Sequence, residues 1–291
     1  MPRVHLVTDS GVRFSNPRFI KHYPLTILPN QIEIGGNSYK EDIDLSTERA
    51  LELISRQKTP PRVIPPSTND FAEVFARLSY HCDAVISIHP SRELSDSWQH
   101  GRLAAQRVAG SCEIAIVDSQ SLCAGQGMLV RAAARAAYKE ETAAGVIQAV
   151  RGAVKRIYSV YCVSQVDYLQ FHKIMSPSHV ILSRRLGIKP FVSLEEGRLI
   201  VIEKVRTYAQ AIERMVEFLV EFAALDDALI LQPCKHISED TRVLQDRLTL
   251  EFSEQYFPFA MYSATMATYL GTAASGVAVL EKEMEDLDYD F

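Results

Sequence analysis

Apolar positions in the first half of the chain come in short β-branched runs separated by stretches with helical spacing. A strand is predicted from Arg3 to Thr8, ending in Asp9-Ser10, and a second from Asp83 to His89. Between them a helix is expected from Asn69 to Ser79. It opens with Ser67-Thr68-Asn69-Asp70, where a hydroxyl can accept a free N–H of the first turn and the acid faces the positive helix end. A helix from Ser97 to Val108 then leads to a third strand, Glu113 to Val117, which again ends in Asp-Ser at Asp118-Ser119. This alternation is the pattern of a parallel sheet covered on both faces, with ligands bound beyond the carboxyl ends of its strands.

Ala-rich helices follow at Gly127 to Tyr138 and Ala144 to Ile157, and Val160 to Val163 begins another strand. The second half then changes character. Ile188 to Ser193 and Arg198 to Val205 flank Glu195-Glu196-Gly197, the pattern of an antiparallel hairpin with glycine in its turn. A helix at Tyr208 to Ala224, a strand at Ala228 to Leu231 and a helix at Ser238 to Phe252 complete most of it. The acidic end, Glu281 to Phe291, reads as a solvated tail.

At 291 residues the chain is long enough for two domains of about 150 residues each. The change of pattern places them at 1–158 and 159–291, and the fold class is α/β: a parallel-sheet domain followed by an α/β domain with a mixed sheet. With 47% hydrophobic and 23% charged residues, composition is that of a globular protein. A net charge of −5 argues against nucleic acid as a partner, since neutralising phosphates supplies most of that affinity. The start, MPRVHLVTDS, has no apolar run behind a basic head, and no stretch approaches the roughly 18 apolar residues of a membrane span. The expectation is a cytoplasmic protein without integral membrane association. Cys82, Cys112, Cys123, Cys162 and Cys234 are irregularly spaced, with no C-x-x-C pair, so neither a disulfide framework nor a zinc site is expected.

No Walker loop, dinucleotide turn, zincin motif or nucleophile elbow is present, and Ser55-Arg56-Gln57-Lys58 matches S-x-x-K without its companion motifs. What remains is a set of small hydroxyl residues at strand ends: Asp9-Ser10, Ser91, Ser95 to Ser97 and Asp118-Ser119. Ser95-Asp96-Ser97 also starts a helix, whose unpaired N–H groups favour an anion. The same residues cap helices and close turns routinely, so spacing leaves both readings open.

In order along the chain, the residues resemble the DegV family, bacterial fatty-acid-binding proteins that include the binding subunits of fatty acid kinase. Val7-Thr8-Asp9-Ser10 is similar to its opening V-T-D-S, Tyr23-Pro24-Leu25 to its next strand, and Tyr39 to Asp44 to its Y-x-D-x-x-D/E stretch. Ile116-Val117-Asp118-Ser119 with Gly125 and Gly127 resembles I-x-V-D-S and G-x-G, and Ile188-Lys189-Pro190 and Lys204-Val205-Arg206 resemble I-K-P and K-x-R. The resemblance implies two domains enclosing one long-chain fatty acid, with its tail in an apolar tunnel and its carboxylate at the domain interface. It implies a carrier and not an enzyme, with no cofactor or metal, and an ATP-dependent fatty acid kinase subunit as partner.

The head-group motifs depart from that pattern. The family's T-S-Q-P-S falls on Val63-Ile64-Pro65-Pro66-Ser67, and its L-S-G-T-Y-Q-S-A on Leu94 to Gly101, with Asp96 in the glycine's place. Its H-x-G-P-G falls on Tyr269 to Ala273, and its G-G-R-I-S near Phe171 to Ile174, with lysine for arginine. The head-group candidates are therefore Ser95, Ser97, Tyr269 and Ser67, with Trp98, His100, Arg206 and Ile64 as candidate contacts to ligand or partner. His89 and His100 are candidates to replace the missing histidine. Two further readings stay open: a hydrolase or transferase using Asp9 or Asp118 with nearby serines, and a scaffold that has lost its ligand.

Overall fold

The computed structural model describes residues 4–108, 110, 112–139, 142–253 and 255–283. Arg3 and residues 284–291 of the acidic end Glu281 to Phe291 lie outside the described residues.

Val4–Asp9 (β1) is buried along nearly its whole length because it is covered on both faces, and it lies between two parallel neighbours, Leu25–Leu28 (β2) and Ala84–His89 (β6). Glu113–Asp118 (β7) adds to β6 in parallel, so the first sheet has the order β2-β1-β6-β7. A small antiparallel sheet is built from Gln31–Ile34 (β3), Asn37–Lys40 (β4) and Arg62–Ile64 (β5), with the helix Thr47–Ser55 (α1) between its last two strands. Thr68–Ser79 (α2) carries the expected cap. The Ser67 hydroxyl accepts from Asp70 N while the Asp70 carboxylate accepts from Ser67 N. Ser97–Ala105 (α3) follows β6.

Ala124–Tyr138 (α4) holds the two halves together. It touches β1 and β6 on one side and three strands of the second sheet on the other, so it is buried almost all round. Its alanines and glycines keep it thin enough for that position. At Gly127 an added Cβ would sit 1.9 Å from the Arg13 carbonyl oxygen. Arg131 of the same helix forms a buried ion pair with Asp227 and donates to the Ser15 hydroxyl. Ala143–Val154 (α5) packs against α4.

The second sheet takes the order β10-β9-β8-β13-β11-β12 and is mixed, antiparallel except for its last pair. Its strands are Ile157–Val163 (β8), Lys189–Glu195 (β9), Arg198–Val205 (β10), Leu225–Gln232 (β11), Phe259–Met261 (β12) and Ala274–Glu281 (β13). β8 thus straddles the 158/159 division expected from sequence. Val166–Phe171 (α6), Pro177–Leu186 (α7) and Ala264–Leu270 (α10) join the core shared with α4, while Tyr208–Val220 (α8) and Glu239–Glu251 (α9) cover the opposite face. Tyr161 and Tyr262 are fully buried in the shared core, Tyr161 directly over Gly276, where an added Cβ would meet its ring at 2.2 Å. No helix among the described residues is long and apolar enough to cross a membrane.

Candidate functional site

The carboxyl end of β1 is polar yet sealed from solvent. Asp9 Oδ1 accepts from Gly11 N at 2.9 Å and from Asn30 Nδ2 at 3.2 Å, and Oδ2 accepts from Gln126 Nε2 at 3.2 Å. Beside it, Glu41 accepts from the Ser10 hydroxyl at 2.7 Å and from both the backbone N–H (2.8 Å) and the hydroxyl (2.7 Å) of Thr265. These bonds join β1, the loop after β2, the end of β4 and α4 to the first turn of α10. They fix how α10 sits on the first sheet.

Burial pushes the Asp9 carboxyl up to about 6, against the pull of its three donors, and the neighbouring Glu41 adds to the rise. Glu41 is also raised, by burial first, with Arg13 opposing. A carboxyl raised in the folded state holds a proton there that the unfolded chain has already released. Its stabilising contribution is therefore present at acid pH and is lost as pH rises from about 4 to about 6. For Asp9 this amounts to about 3 kcal/mol. We expect Asp9→Asn to lose this fall, measured by urea unfolding across that window; a variant whose stability falls as steeply as wild type would contradict the assignment.

α10 carries Thr268 and Tyr269 onto a cleft of about 400 Å³. Five segments meet there: Pro61 to Val63, Glu93-Leu94, Phe171 to Ile174, Arg198-Leu199, and Thr268-Tyr269. The β9–β10 hairpin reaches across to the loop after β6. Its Gly197 is left-handed (φ 80°), its carbonyl accepts from the Ser91 hydroxyl at 2.7 Å, and an added Cβ would meet that hydroxyl at 2.3 Å. Arg198 follows directly and pairs with Glu93 at 2.8 Å. On the facing wall the Tyr269 hydroxyl donates to the Leu94 carbonyl, and its ring lies 4.6 Å from that of His172. His172 Nε2 contacts the Thr268 carbonyl at 2.8 Å, and burial lowers its basicity. Its lining interleaves the apolar residues Pro61, Val63, Leu94, Phe171, Ile174 and Leu199 with the charged residues Arg62, Glu93, Lys173 and Arg198.

Of the head-group candidates, Tyr269 lines this cleft. Ser95 is half-buried and its hydroxyl accepts from Ser97 N, while Ser97 is buried at the start of α3 with its hydroxyl unpartnered. Ser67 is exposed and caps α2. Trp98 is half-buried on α3 with the guanidinium groups of Arg92 and Arg102 within 6 Å of its ring centroid. His100 Nδ1 contacts the Pro66 carbonyl at 2.8 Å, Ile64 ends β5, and Arg206 is exposed between β10 and α8. None of these seven lines the cleft. His89 is buried against Phe71 and Gly101, bonded to the Ser87 hydroxyl, and burial lowers it to about 3. Asp118 caps its own turn through Gln120 N and pairs with Arg92. The lining residues that sequence did not single out are Pro61, Arg62, Glu93, Arg198, Leu199 and Thr268, which come from segments far apart in sequence. Lys173 was visible only as the weakest motif match. Among the described residues no group of His, Cys, Asp or Glu side chains is placed to hold a metal ion.

A family model described as an uncharacterised protein of the DegV family matches residues 3–282. The chain belongs to the DegV family. A DegV domain-containing protein of Caldanaerobacter subterraneus subsp. tengcongensis is 28% identical, over 97% of this chain and 100% of the relative. The fatty-acid-binding DegV family protein of Streptococcus agalactiae superposes with a TM-score of 0.86 at 22% identity, covering 97% of this chain and 100% of that one. The fatty acid kinase B3 protein of Streptococcus pneumoniae, loaded with linoleic acid, does so with a TM-score of 0.80 at 16% identity, covering 96% and 100%. The DegV fold accounts for the parallel sheet and the mixed sheet.

Proposed function

We propose that this DegV protein binds one long-chain fatty acid or similar amphiphile, with its anionic head at the cations of the cleft and its tail along the apolar residues of its lining. The observation that carries this is the lining itself, in which six apolar residues are interleaved with three cations and one acid. In this reading residues 1–158 and 159–291 act as the two jaws of a cytoplasmic carrier, and an ATP-dependent fatty acid kinase subunit receives the exposed head group for acyl-phosphate formation. The S. agalactiae and S. pneumoniae proteins, described as fatty-acid binding and as loaded with linoleic acid, support the ligand class. Asp9 is fully enclosed and each carboxylate oxygen already accepts a hydrogen bond, which supports a carrier over a hydrolase that would need to bring substrate to it.

Titration of delipidated protein with oleate is expected to give one bound molecule per chain. Ile174→Asp, which places a carboxylate among the apolar lining residues, is expected to weaken binding by about tenfold or more while leaving the circular dichroism unchanged. Addition of ATP and a fatty acid kinase subunit is expected to yield acyl phosphate. Oleate binding that Ile174→Asp leaves untouched would move the ligand out of this cleft.

A further inference from the structure

We infer that the cavity lined by edge strands of both sheets is a second binding site, separate from the cleft, and that it takes one neutral apolar molecule. The cavity measures about 500 Å³, within the range of small-molecule sites. β2, at one edge of the first sheet, contributes Ile27, and β12, at one edge of the second, contributes Met261. The loop after β1 supplies Val12 and Phe14, the short 3₁₀ helix Pro17–Lys21 supplies Ile20, and the turn after β4 supplies Ile43. None of its fourteen lining residues lines the cleft, and nine of them are apolar. Val12 and Phe14 are buried, whereas Ile20 and Ile43 are 39% and 66% exposed, so the apolar surface runs from the interior out to solvent.

The polar side chains of the lining are spent on one another and on the backbone. Arg13 donates from Nε to the Met261 carbonyl at 3.3 Å, and from Nη1 to the carbonyls of Ser10 and Val12 at 3.0 and 2.7 Å. Its Nη2 donates to the Thr47 hydroxyl at 2.7 Å and pairs with Asp42 Oδ2 at 3.2 Å. Five N–H groups thus meet five acceptors. The Thr47 hydroxyl donates to Asp42 Oδ1 at 2.7 Å, and the Ser10 hydroxyl to Glu41. No side-chain donor is left over for a carboxylate or phosphate. Both oxygens of Asp42 are engaged by Thr47 and Arg13, and those of Glu41 by Ser10 and Thr265, so a cationic ligand would have to compete for them. A charged ligand of either sign would lose its hydration without a free partner in return, and an uncharged hydrocarbon group would not. Its affinity would come from apolar surface removed from water.

The test uses the delipidated full chain loaded with one equivalent of oleate and titrated with the neutral fluorescent probe N-phenyl-1-naphthylamine. One probe molecule is expected to bind per oleate-loaded chain. Ile43→Glu alters an exposed side chain at the cavity and is expected to weaken probe binding by at least about tenfold while leaving oleate binding unchanged. Ile174→Asp, in the cleft, is expected to do the reverse. Displacement of the probe by 1-decanol would mark the occupant as an alkyl chain, and displacement by naphthalene as a ring, both within the inference; displacement by neither overturns it. Excess oleate that expels the probe mole for mole would merge the two sites and overturn it, as would an Ile43→Glu variant with unchanged probe affinity. A chain that sediments as a dimer, and that Ile43→Glu returns to monomer, would assign the cavity to a second copy instead.

Discussion

Gly127→Ala is expected to cost about 3 kcal/mol of stability. The reason lies in the position of α4 between two sheets. The new Cβ would stand 1.9 Å from the Arg13 carbonyl oxygen and within 3.3 Å of the Phe14 ring. The first of these is backbone and cannot rotate away. Relief requires α4 to move off β1, yet its opposite side is already packed on the six-stranded sheet, so movement there opens a gap or compresses Tyr161 and its neighbours. Alanine is otherwise the better helix former by roughly 1 kcal/mol, which makes the direction of the change a test of packing against propensity. Chemical denaturation that places the variant within about 1 kcal/mol of wild type would mean that α4 is not clamped between the sheets.

Arg131→Met is expected to lose about 3–5 kcal/mol, because it leaves the Asp227 carboxylate buried without its cation. The side chains of Arg131 and Asp227 are only 17% and 7% exposed, and the pair ties α4 to β11 of the second sheet. Removing both charges should behave differently. Arg131→Met combined with Asp227→Leu is expected to recover most of the loss, since a buried ion pair contributes little net stability once its desolvation is counted. Equilibrium unfolding of the two single variants and the double variant gives the coupling directly. Additive losses would show that the two side chains do not act as a pair.

Local patterning made the parallel sheet and the β9–β10 hairpin legible from sequence. β1, β6 and β7 are β-branched runs ended by Asp, His or Asp-Ser, and Glu195-Glu196-Gly197 is a turn whatever surrounds it. β13 was not legible, though it lies in the middle of the second sheet. Its Ala274, Gly276 and Ala278 are small because Tyr161 and α4 press against them, and small residues carry no strand signal. α10 was missed for a related reason: ATMATYL is buried at every position and has no polar face to give it a helical period. The capping box at Ser67 and Asp70 was read correctly as a helix start, and the serines at 95 and 97 fall at the start of α3 as expected. The cleft was legible at Tyr269 and, through looser motif matches, at Val63, Leu94 and the Phe171 to Ile174 turn, while its hairpin tip and Glu93 come from segments that no spacing rule brings together. Arg62 and Arg198 are ordinary surface cations in sequence and reach the cleft only in the fold.

A bound chain of about 16 carbons would gain on the order of 10 kcal/mol from burial at roughly 0.8 kcal/mol per CH₂, before ordering costs, which is enough to survive purification. The most direct test of the account is therefore to denature the purified protein, extract it with organic solvent and identify the released lipid by mass spectrometry against a mock preparation. Near-stoichiometric release of one long-chain acid is the expected result. A clean extract from protein that also fails to take up added fatty acid would contradict it, and would leave a DegV fold whose cleft serves no lipid.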